Sequence, residues 1–301
     1  VDLSIQETIH KRLIKEKSGS VVVMNIETGE IIGMVSIPDF DPNNLDKSNL
    51  EQRLNRAFQS NYEMGSTFKP LTIAMGIDKN LITKEMEFDV SKPIRNKITD
   101  WDPCNCSLTI KEIIVKSSNI GTAKIAKIIG KKNQIEFFKK IGFYDPIDIN
   151  LNEASKPIGQ RYHWGKIETM TIGYGHGFSI TPMHLAVAYS SILNGGYKKN
   201  PKIILKANNK KNKQIIKTTT SDYIATLLRA VIQETVFTGP RIKIKGYDIG
   251  GKTGTAELTN NQGIYDKDLN RTIFVGAFPM YKPKYLILTF IDKPKRIKEE
   301  N

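Results

Sequence analysis

Hydrophobic residues recur at two different spacings near the start of the chain. Ile5, Ile9, Leu13 and Ile14 recur at helical spacing, which predicts an opening helix that ends near Ser18-Gly19. Two short apolar runs follow at 20–26 and 30–36, and the turn-forming sequence Glu27-Thr28-Gly29 joins them. Short apolar runs on either side of a glycine-containing turn are typical of a β-hairpin. The pattern therefore predicts a helix followed by a two-stranded hairpin.

The middle of the chain returns to helical spacing. Gly65-Ser66 opens one apolar stretch, Leu108-Thr109 opens a second, and Thr181 followed by Pro182 is a strong start signal for a third. The polar sequence Lys116-Ser117-Ser118-Asn119 separates two helices, so its side chains can point into a cleft. The predicted helices are 66–77, 110–115, 120–129, 182–194 and 223–232.

Strands are predicted in the last third of the chain, with turns at Gly263 and Lys282-Pro283. A hairpin alone is marginally stable in water, so we expect the first hairpin to join these strands in one sheet. The predicted strands are 243–249, 252–258, 272–278 and 285–291. The element order predicts an α/β (α+β) fold in which a helical block interrupts an antiparallel sheet.

Composition places this chain among ordinary globular proteins, with 301 residues, 39% hydrophobic and 25% charged. Its formal net charge is +14, but the lysines are scattered and no arginine-rich run is interleaved with aromatics. We interpret the charge as a solvated surface, with attraction to a polyanionic cell envelope as the alternative and no nucleic-acid partner. No stretch approaches the roughly 20 apolar residues of a membrane span.

The two cysteines, Cys104 and Cys106, are too few for a zinc site, and neighbours at this spacing rarely form a relaxed disulfide. We therefore expect free thiols. No cluster of metal-ligating residues stands out, so we expect no metal and no cofactor. Trp101 and Trp164 are interpreted as packing residues.

Three histidines require an interpretation. His10 and His184 lie on predicted helices, where a structural or surface role is the simplest expectation. His176 lies in the glycine-rich sequence Gly173-Tyr-Gly-His-Gly177, where contact with a substrate is the alternative to a structural role.

Ser66 and Lys69 carry the first chemical signal. Residues three apart share one face of a helix, so the Lys69 amine can reach the Ser66 hydroxyl. An alcohol beside an amine whose pKa is lowered by burial is an activated nucleophile. The N-terminus of the helix also offers N–H groups to an oxyanion. Alone, however, Ser-x-x-Lys is common by chance.

The sequence from Gly246 to Thr253 allows two interpretations. It matches the phosphate-loop pattern G-x-x-x-x-G-K-[ST], which requires a helix beginning at the lysine. The following Gly254-Thr255 and the breaker cluster 260–263 instead favour a strand and a turn. On a strand edge, Lys252 supplies a cation, Thr253 and Thr255 supply hydroxyls, and Gly254 allows close approach of a substrate backbone. We favour a site for a peptide that ends in a carboxylate.

Three motifs now stand in order: Ser66-x-x-Lys69, Ser117-Ser118-Asn119 and Lys252-Thr253-Gly254. The set resembles penicillin-binding proteins and class A β-lactamases, with Ser118 at a position that is often Asp. Nearly the whole chain resembles the monofunctional class B penicillin-binding proteins. The sequences at 38–43 and 62–70 most resemble the division-type transpeptidases that build septal peptidoglycan, with elongation-type relatives second.

The resemblance implies a penicillin-binding/serine β-lactamase-like fold, with a five-stranded antiparallel sheet flanked by helices and an all-helical subdomain. The subdomain is expected at roughly 64–235, between the sheet parts 1–40 and 241–292. The resemblance also implies an N-terminal membrane anchor, a pedestal domain and a C-terminal helix, which we expect to lie outside this sequence.

The resemblance further implies a D,D-transpeptidase. Ser66 would attack a D-Ala-D-Ala stem peptide, Lys69 would act as base, Ser117 would relay the proton, and Asn119 would hold the substrate amide and help position Lys69. The terminal carboxylate would be bound by Lys252, Thr253 and Thr255 beside Gly254. The N–H groups of Ser66 and Thr255 would form the oxyanion hole.

Implied partners are stem peptides, lipid-linked glycan strands, β-lactams, a glycosyltransferase and other division proteins, at the periplasmic face of the inner membrane. Two alternatives stay open, a β-lactamase of the same fold and a non-enzymatic β-lactam sensor.

Overall fold

The computed structural model describes residues 1–149, 151, 153–159, 164–204, 213–235, 242–259 and 265–294. Its α-helices are α1 (Leu3–Leu13), α2 (Leu50–Arg53), α3 (Lys69–Asp78), α4 (Ile110–Val115), α5 (Asn119–Ile141), α6 (Lys166–Gly173), α7 (Pro182–Leu193) and α8 (Thr218–Glu234). Two 3₁₀ helices, Leu45–Lys47 and Gly65–Phe68, precede α2 and α3.

The strands of the main sheet are β1 (Ser18–Asn25), β2 (Ile31–Ile37), β9 (Gly250–Thr259), β10 (Tyr265–Phe278) and β11 (Tyr285–Asp292). Three minor sheets pair β3 (Tyr62–Glu63) with β6 (Ser179–Ile180), β4 (Glu87–Asp89) with β5 (Ser107–Thr109), and β7 (Tyr197–Lys198) with β8 (Lys213–Gln214).

The main sheet is antiparallel and five-stranded, in the order β2-β1-β11-β10-β9. Val22 of β1 lies opposite Met34 of β2 on one side and Leu288 of β11 on the other. The N-terminal hairpin thus joins the C-terminal strands, and the predicted fold class is confirmed. The hairpin needs this partner because two strands alone bury too little surface.

Both faces of β1 are covered. Val21 and Val23 pack towards α1 with Leu13, whereas Val22 and Met24 belong to the larger core shared with the helices. Successive side chains on a strand point to opposite faces, so an uninterrupted apolar run requires a cover on each side. The hydrophobic stretch in β1 is continuous because one face of the strand packs against α1 and the other against the larger core.

Helices α3 to α8 form a helical block between β2 and β9 in the sequence. Its centre is a group of aromatic rings in which Phe68, Phe138, Phe143 and Phe178 lie with centroids 4.9 to 6.4 Å apart. Phe68 directly precedes α3, so this packing fixes the start of that helix against α5.

The local start signals of two helices are confirmed. The Thr109 side chain accepts the Glu112 N–H, and the Glu112 carboxylate accepts the Thr109 N–H, so α4 begins with a complete capping box. Thr181 accepts the N–H of His184 at the start of α7, and Pro182 takes the first helical position. Helix α5 runs past its predicted end to Ile141, with a break at Gly130.

The predicted strand at 243–249 is wrong. Gly246 has φ +87°, which turns the chain, and the apolar side chains of Ile244 and Tyr247 are more than half exposed. The segment is therefore an irregular approach to β9. The predicted turn at Gly263 lies outside the described residues.

The expectation of free thiols is also wrong. Cys104 and Cys106 form a disulfide, because the chain bends before β5 and brings their Cα atoms to 5.3 Å, inside the range for bridged cysteines. Trp101, predicted to pack, is instead fully exposed. Trp164 does pack, against Phe138 and Phe178.

The histidines with expected structural or surface roles occupy such positions. His10 lies on the surface with Nε2 2.9 Å from an Asp39 carboxylate oxygen. His184 is buried between the Thr181 hydroxyl and the Asp145 carbonyl. Burial lowers the His184 pKa to about 4, so the ring is neutral at neutral pH.

Within the described ranges, no helix combines the length and apolar character that crossing a membrane requires. Among those same residues, no group of three His, Cys, Asp or Glu side chains is arranged to hold a metal ion.

Candidate active site

Ser66 lies in the 3₁₀ segment Gly65–Phe68, which we call the Ser66 turn, and α3 follows directly at Lys69. Thr67 and Phe68 are buried, whereas Ser66 is partly accessible. The Thr67 hydroxyl donates to the Met64 carbonyl at 2.6 Å, and the buried Tyr189 hydroxyl donates to the Thr67 carbonyl at 2.7 Å. The backbone that carries Ser66 is therefore held from both sides while the Ser66 side chain is left accessible.

Gly65 is required by space and by backbone conformation. Its φ is +51°, and a Cβ there would lie 2.7 Å from the Thr255 carbonyl oxygen. On the other side, the Gly65 N–H donates to the Gly175 carbonyl at 3.3 Å. Glycine accepts a positive φ without steric cost. The Ser66 turn is thus wedged between strand β9 and the glycine-rich bend that contains Gly175.

Lys69 is fully buried at the base of the Ser66 turn. Its Nζ donates to the Ser117 carbonyl and, at 3.1 Å, to the Ser117 hydroxyl. Burial is the main cause that holds the Lys69 pKa well below its usual value, and the nearby positive charge of Lys252 lowers it further. The negative charge of Asp100 acts in the opposite direction. The lowered pKa favours the neutral form of the amine, which can accept a proton.

Ser117 and Asn119 flank the junction of α4 and α5. Ser117 has φ +56°, a left-handed conformation that is uncommon for a residue other than glycine. Asn119 is the first residue of α5, and its side-chain amide donates to the Thr99 carbonyl at 2.9 Å. The structure brings Ser117, but not the Asn119 side chain, into hydrogen bonding with Lys69.

Asp100 is a member of this site that the sequence did not reveal. Its carboxylate accepts the N–H groups of Asn119 (2.5 Å) and Ile120 (2.9 Å) and the hydroxyl of Ser118 (2.6 Å). Asp100 lies in a loop far from this junction in the sequence, and no local pattern links the two. The only available signal was an acidic residue upstream of a helix start, which is too common to be informative.

Strand β9 is an edge of the main sheet and carries the third motif. Lys252 is buried, and its Nζ donates to the Thr253 carbonyl at 3.2 Å. Burial lowers the Lys252 pKa to about 8, so this amine is mostly protonated at neutral pH. Thr253 is partly accessible and Thr255 is exposed. This edge strand therefore carries two solvent-accessible threonines, Thr253 and Thr255, next to the buried ammonium group of Lys252.

Gly254 explains how the strand approaches the Ser66 turn. A Cβ at Gly254 would lie 2.8 Å from the Met64 carbonyl oxygen and 2.9 Å from Thr67 Cγ2. Real Cβ atoms do not come so close to backbone, so only glycine fits. Lys252-Thr253 continues a strand and does not begin a helix, which excludes the phosphate-loop geometry at this motif.

His176 lies in the glycine-rich bend and is paired with Glu63. Its Nδ1 lies 3.3 Å from a Glu63 carboxylate oxygen, and the other oxygen accepts the Gly177 N–H at 2.7 Å. Glu63 belongs to β3, just before the Ser66 turn. This pair ties the bend to the turn, and a direct substrate contact of His176 stays a prediction.

The three motifs thus converge from separate parts of the chain. Lys-Thr-Gly lies on the edge strand of an antiparallel sheet, and this strand packs on the turn that begins Ser-x-x-Lys. The lysine of Ser-x-x-Lys is hydrogen-bonded to the serine of Ser-x-Asn. This combination of motifs defines the penicillin-recognising class of serine acyl-transferring proteins.

Comparison with known proteins narrows the class. Residues 19–301 match the penicillin binding protein transpeptidase domain. The chain is 32% identical over 319 residues to the probable peptidoglycan D,D-transpeptidase FtsI of Caulobacter vibrioides, covering 98% of this chain and 53% of that protein. It is 33% identical over 311 residues to the peptidoglycan D,D-transpeptidase FtsI of Buchnera aphidicola, covering 98% and 54%. The chain spans about half the length of these relatives.

Solved structures agree with these relatives. The transpeptidase domain of Burkholderia pseudomallei penicillin-binding protein 3 superimposes with a TM-score of 0.85 at 27% identity, covering 98% of this chain and 87% of that one. The chain belongs to the penicillin-binding protein transpeptidase domain family.

Proposed function

We propose that this chain is the catalytic domain of a division-type class B penicillin-binding protein and cross-links peptidoglycan by D,D-transpeptidation. The observation that carries the proposal is the buried side chain of Lys69, which follows Ser66 by one helical turn. Its amine is hydrogen-bonded to Ser117. The names of the FtsI relatives support the reaction and the division role. An elongation role is the alternative within the same reaction.

The first half of the reaction makes an acyl-enzyme. The Ser66 oxygen attacks the carbonyl carbon of the penultimate D-Ala while the neutral Lys69 amine takes the hydroxyl proton. The oxyanion is stabilised by the N–H groups of Ser66 and Thr255, and the close packing of the Ser66 turn on β9 supports this assignment. Ser117, already bonded to Lys69, passes the proton to the departing amine. The C–N bond breaks and the terminal D-Ala leaves.

Recognition of the donor peptide is assigned to β9. The protonated Lys252 supplies the charge that attracts the terminal carboxylate, and the hydroxyls of Thr253 and Thr255 accept or donate hydrogen bonds beside it. The position of β9 at the edge of the sheet allows an extended peptide to align with it. Asn119 holds the substrate amide next to this strand.

In the second half, the amine of a neighbouring stem peptide attacks the Ser66 ester. The proton of this amine passes through Ser117 and Lys69 to the Ser66 oxygen as the ester C–O bond breaks. A new peptide bond then links the two stem peptides. A β-lactam carries a strained amide and a carboxylate, so it acylates Ser66 in the same way. Its remaining ring then stays attached and blocks the acceptor.

The wider setting of the domain belongs to the same proposal. The natural donor and acceptor are stem peptides on lipid-linked glycan strands, and a glycosyltransferase with other division proteins supplies them. The protein works at the periplasmic face of the inner membrane, held there by an anchor and raised on a pedestal domain. Within this domain, 64–235 forms a helical subdomain inserted between the sheet parts 1–40 and 241–292.

A transpeptidation assay tests the proposal. The protein is given a D-Ala-D-Ala peptide mimic as thioester donor and a D-amino acid as acceptor, and the products are separated by mass. We expect an aminolysis product from the wild type and none from Ser66→Ala. Penicillin acylation without any aminolysis product would indicate a β-lactam sensor. Rapid turnover of penicillin would indicate a β-lactamase.

A further inference from the structure

The junction of α4 and α5 is held in a conformation that the local sequence does not favour. Ser117 has φ +56°, and such a conformation costs of order 1–3 kcal/mol for a residue other than glycine. A conformation of this kind persists only where surrounding contacts impose it. The same residue supplies both acceptors of Lys69, its carbonyl and its hydroxyl. The contacts that impose this conformation therefore also determine where Lys69 and Ser117 meet.

Backbone hydrogen bonds at the end of α4 close the Ser117 turn itself, from the Ser117 N–H to the Ile114 carbonyl (3.3 Å) and from the Ser118 N–H to the Ile113 carbonyl (2.9 Å). The residues that follow the turn are held mainly by one side chain. Asp100 accepts hydrogen bonds from three successive residues, through the Ser118 hydroxyl and the Asn119 and Ile120 N–H groups. The adjacent Thr99 carbonyl accepts the Asn119 amide. Thus the residues immediately after Ser117 are fixed by the segment Thr99-Asp100, which lies outside the three motifs.

We propose that Asp100 is a positioning residue for acyl transfer, which holds Ser117 and Asn119 in register with Lys69. The proposal rests on the function proposed above and adds a residue to it. Asp100 acts through its neighbours and touches no reacting atom. Hydrogen bonds to a charged acceptor are the strong kind, and several on one carboxylate hold a turn more firmly than neutral contacts would.

Asp100 also influences the charge of the base. The charged groups that affect Lys69 are Lys252 from β9 and Asp100 from the loop before β5. Asp100 favours the protonated amine, while burial and Lys252 favour the neutral one. Removing the Asp100 charge should therefore lower the Lys69 pKa further. A residue that merely stabilised the fold would not shift the pH dependence of acylation in this direction.

Two substitutions at Asp100 separate the effect of its hydrogen bonds from the effect of its charge. Asp100→Ala removes every side-chain hydrogen bond of Asp100. Asp100→Asn keeps one carbonyl oxygen for the Asn119 and Ile120 N–H groups, but it loses the charge and replaces the acceptor of the Ser118 hydroxyl with an NH2 group. Asp102→Asn is the matched control, because Asp102 is exposed, lies two residues away and has no hydrogen-bond or ion-pair partner within the described residues. It changes net charge by the same amount.

The measurement is the second-order rate constant for acylation of Ser66 by a fluorescent penicillin between pH 5 and pH 10, on samples whose folding is checked by circular dichroism. We expect Asp100→Ala to lower the rate constant about 10- to 150-fold, which corresponds to the usual strength of hydrogen bonds to a charged group. Asp100→Asn should lose less rate, and the acid limb of its profile should move to lower pH. Asp102→Asn should match the wild type.

The outcomes are distinguishable from failure of the proposed function. Absence of acylation in the folded wild type would overturn the function and this inference together. Full acylation in Asp100→Ala would overturn the inference alone, as would an equal loss in Asp102→Asn. If Asp100→Ala does not fold, Asp100→Asn decides, because an unshifted acid limb in that variant contradicts the inference.

Discussion

At the scale of single residues, the site contains two buried lysines, Lys69 and Lys252. Burial lowers the pKa of both, to about 8 for Lys252, and the positive charge of Lys252 lowers the pKa of Lys69 further. Two ammonium groups in one low-dielectric site repel, which favours the neutral form of Lys69 while Lys252 is protonated. This order of pKa values supports the proposed roles, in which Lys69 is the base and Lys252 carries the charge that binds the substrate carboxylate.

Lys69 should cost the protein stability. Because its folded pKa is below its unfolded value of about 10.4, the unfolded chain binds a proton that the folded chain does not. Stability linked to this group is therefore lowest below the folded pKa and rises as pH increases from the folded to the unfolded pKa. We expect Lys69→Met to abolish acylation and to raise the free energy of unfolding at pH 7 by about 1–3 kcal/mol.

Chemical denaturation at several pH values checks this prediction. The advantage of Lys69→Met should shrink between pH 7 and pH 10.5, because the wild type no longer loses the protonation energy there. A variant that is less stable than the wild type at pH 7 would contradict the account of the buried amine.

Lys252 should set the alkaline limit of acylation. Its pKa is lowered to about 8, so the free enzyme loses its carboxylate-binding charge as pH rises through that value. We expect the second-order rate constant for penicillin acylation to fall above about pH 8. Lys252→Ala should be slow at every pH and should lack this limb, while Lys252→Arg, which stays charged, should also lack it. A wild-type profile that is flat up to pH 10 would contradict the assignment.

At the scale of elements, the site is the contact between the Ser66 turn and strand β9. Gly65 and Gly254 face each other's backbone at distances that leave no room for a Cβ, so the two elements approach as closely as the polypeptide permits. This approach brings the Thr255 backbone against Gly65 at the start of the Ser66 turn. A side chain at either glycine must push the turn and the strand apart.

Gly65→Ala tests the importance of that contact. Alanine there combines an unfavourable positive φ with a Cβ 2.7 Å from the Thr255 carbonyl oxygen. We expect the free energy of unfolding to fall by about 2 kcal/mol or more and acylation to fall at least about 100-fold, the scale of losing one oxyanion donor.

Gly130→Ala is its control. Gly130 also has a positive φ (+76°), but a Cβ there would meet nothing within 4 Å. It should lose stability by about 1 kcal/mol from backbone strain alone and keep the wild-type acylation rate. Equal acylation in both variants, measured on folded samples, would show that the close approach at Gly65 is not required.

Elements with strong local signals could be predicted from the sequence. The hairpin β1-β2, the capped starts of α4 and α7, and the strands β9 and β11 all follow from alternation or capping residues. The segment 243–249 could not, because its apolar side chains carry a strand pattern while Gly246 turns the chain. Local propensity was outweighed there by the route the chain takes into β9.

Tertiary contacts account for the other features of the structure that could not be predicted from the sequence. Asp100 meets Ser118 through folding of the loop before β5, and the disulfide of Cys104 and Cys106 depends on the bend of that same loop. Trp101 lies between them with its side chain exposed, although a tryptophan is usually at least partly buried. No spacing rule predicts these features, since each depends on the path of an irregular segment.

At the scale of the whole molecule, the site exists only when both ends of the chain have come together. Strand β1 pairs with β11, so the sheet closes across nearly the full length of the sequence, and β9 then packs on the Ser66 turn that leads into α3. The order of the three motifs could be predicted from the sequence. Their convergence at one cleft depends on this sheet topology.

Covalent labelling by benzylpenicillin tests the central claim most directly. The protein is incubated with the antibiotic, its intact mass is measured over many minutes, and the modified peptide is mapped. We predict one stoichiometric, persistent adduct on the peptide that contains Ser66, and none in Ser66→Ala, whose folding is confirmed separately. An adduct that survives in Ser66→Ala, or a folded wild type that acquires none, would contradict the assignment of this chain as a serine transpeptidase.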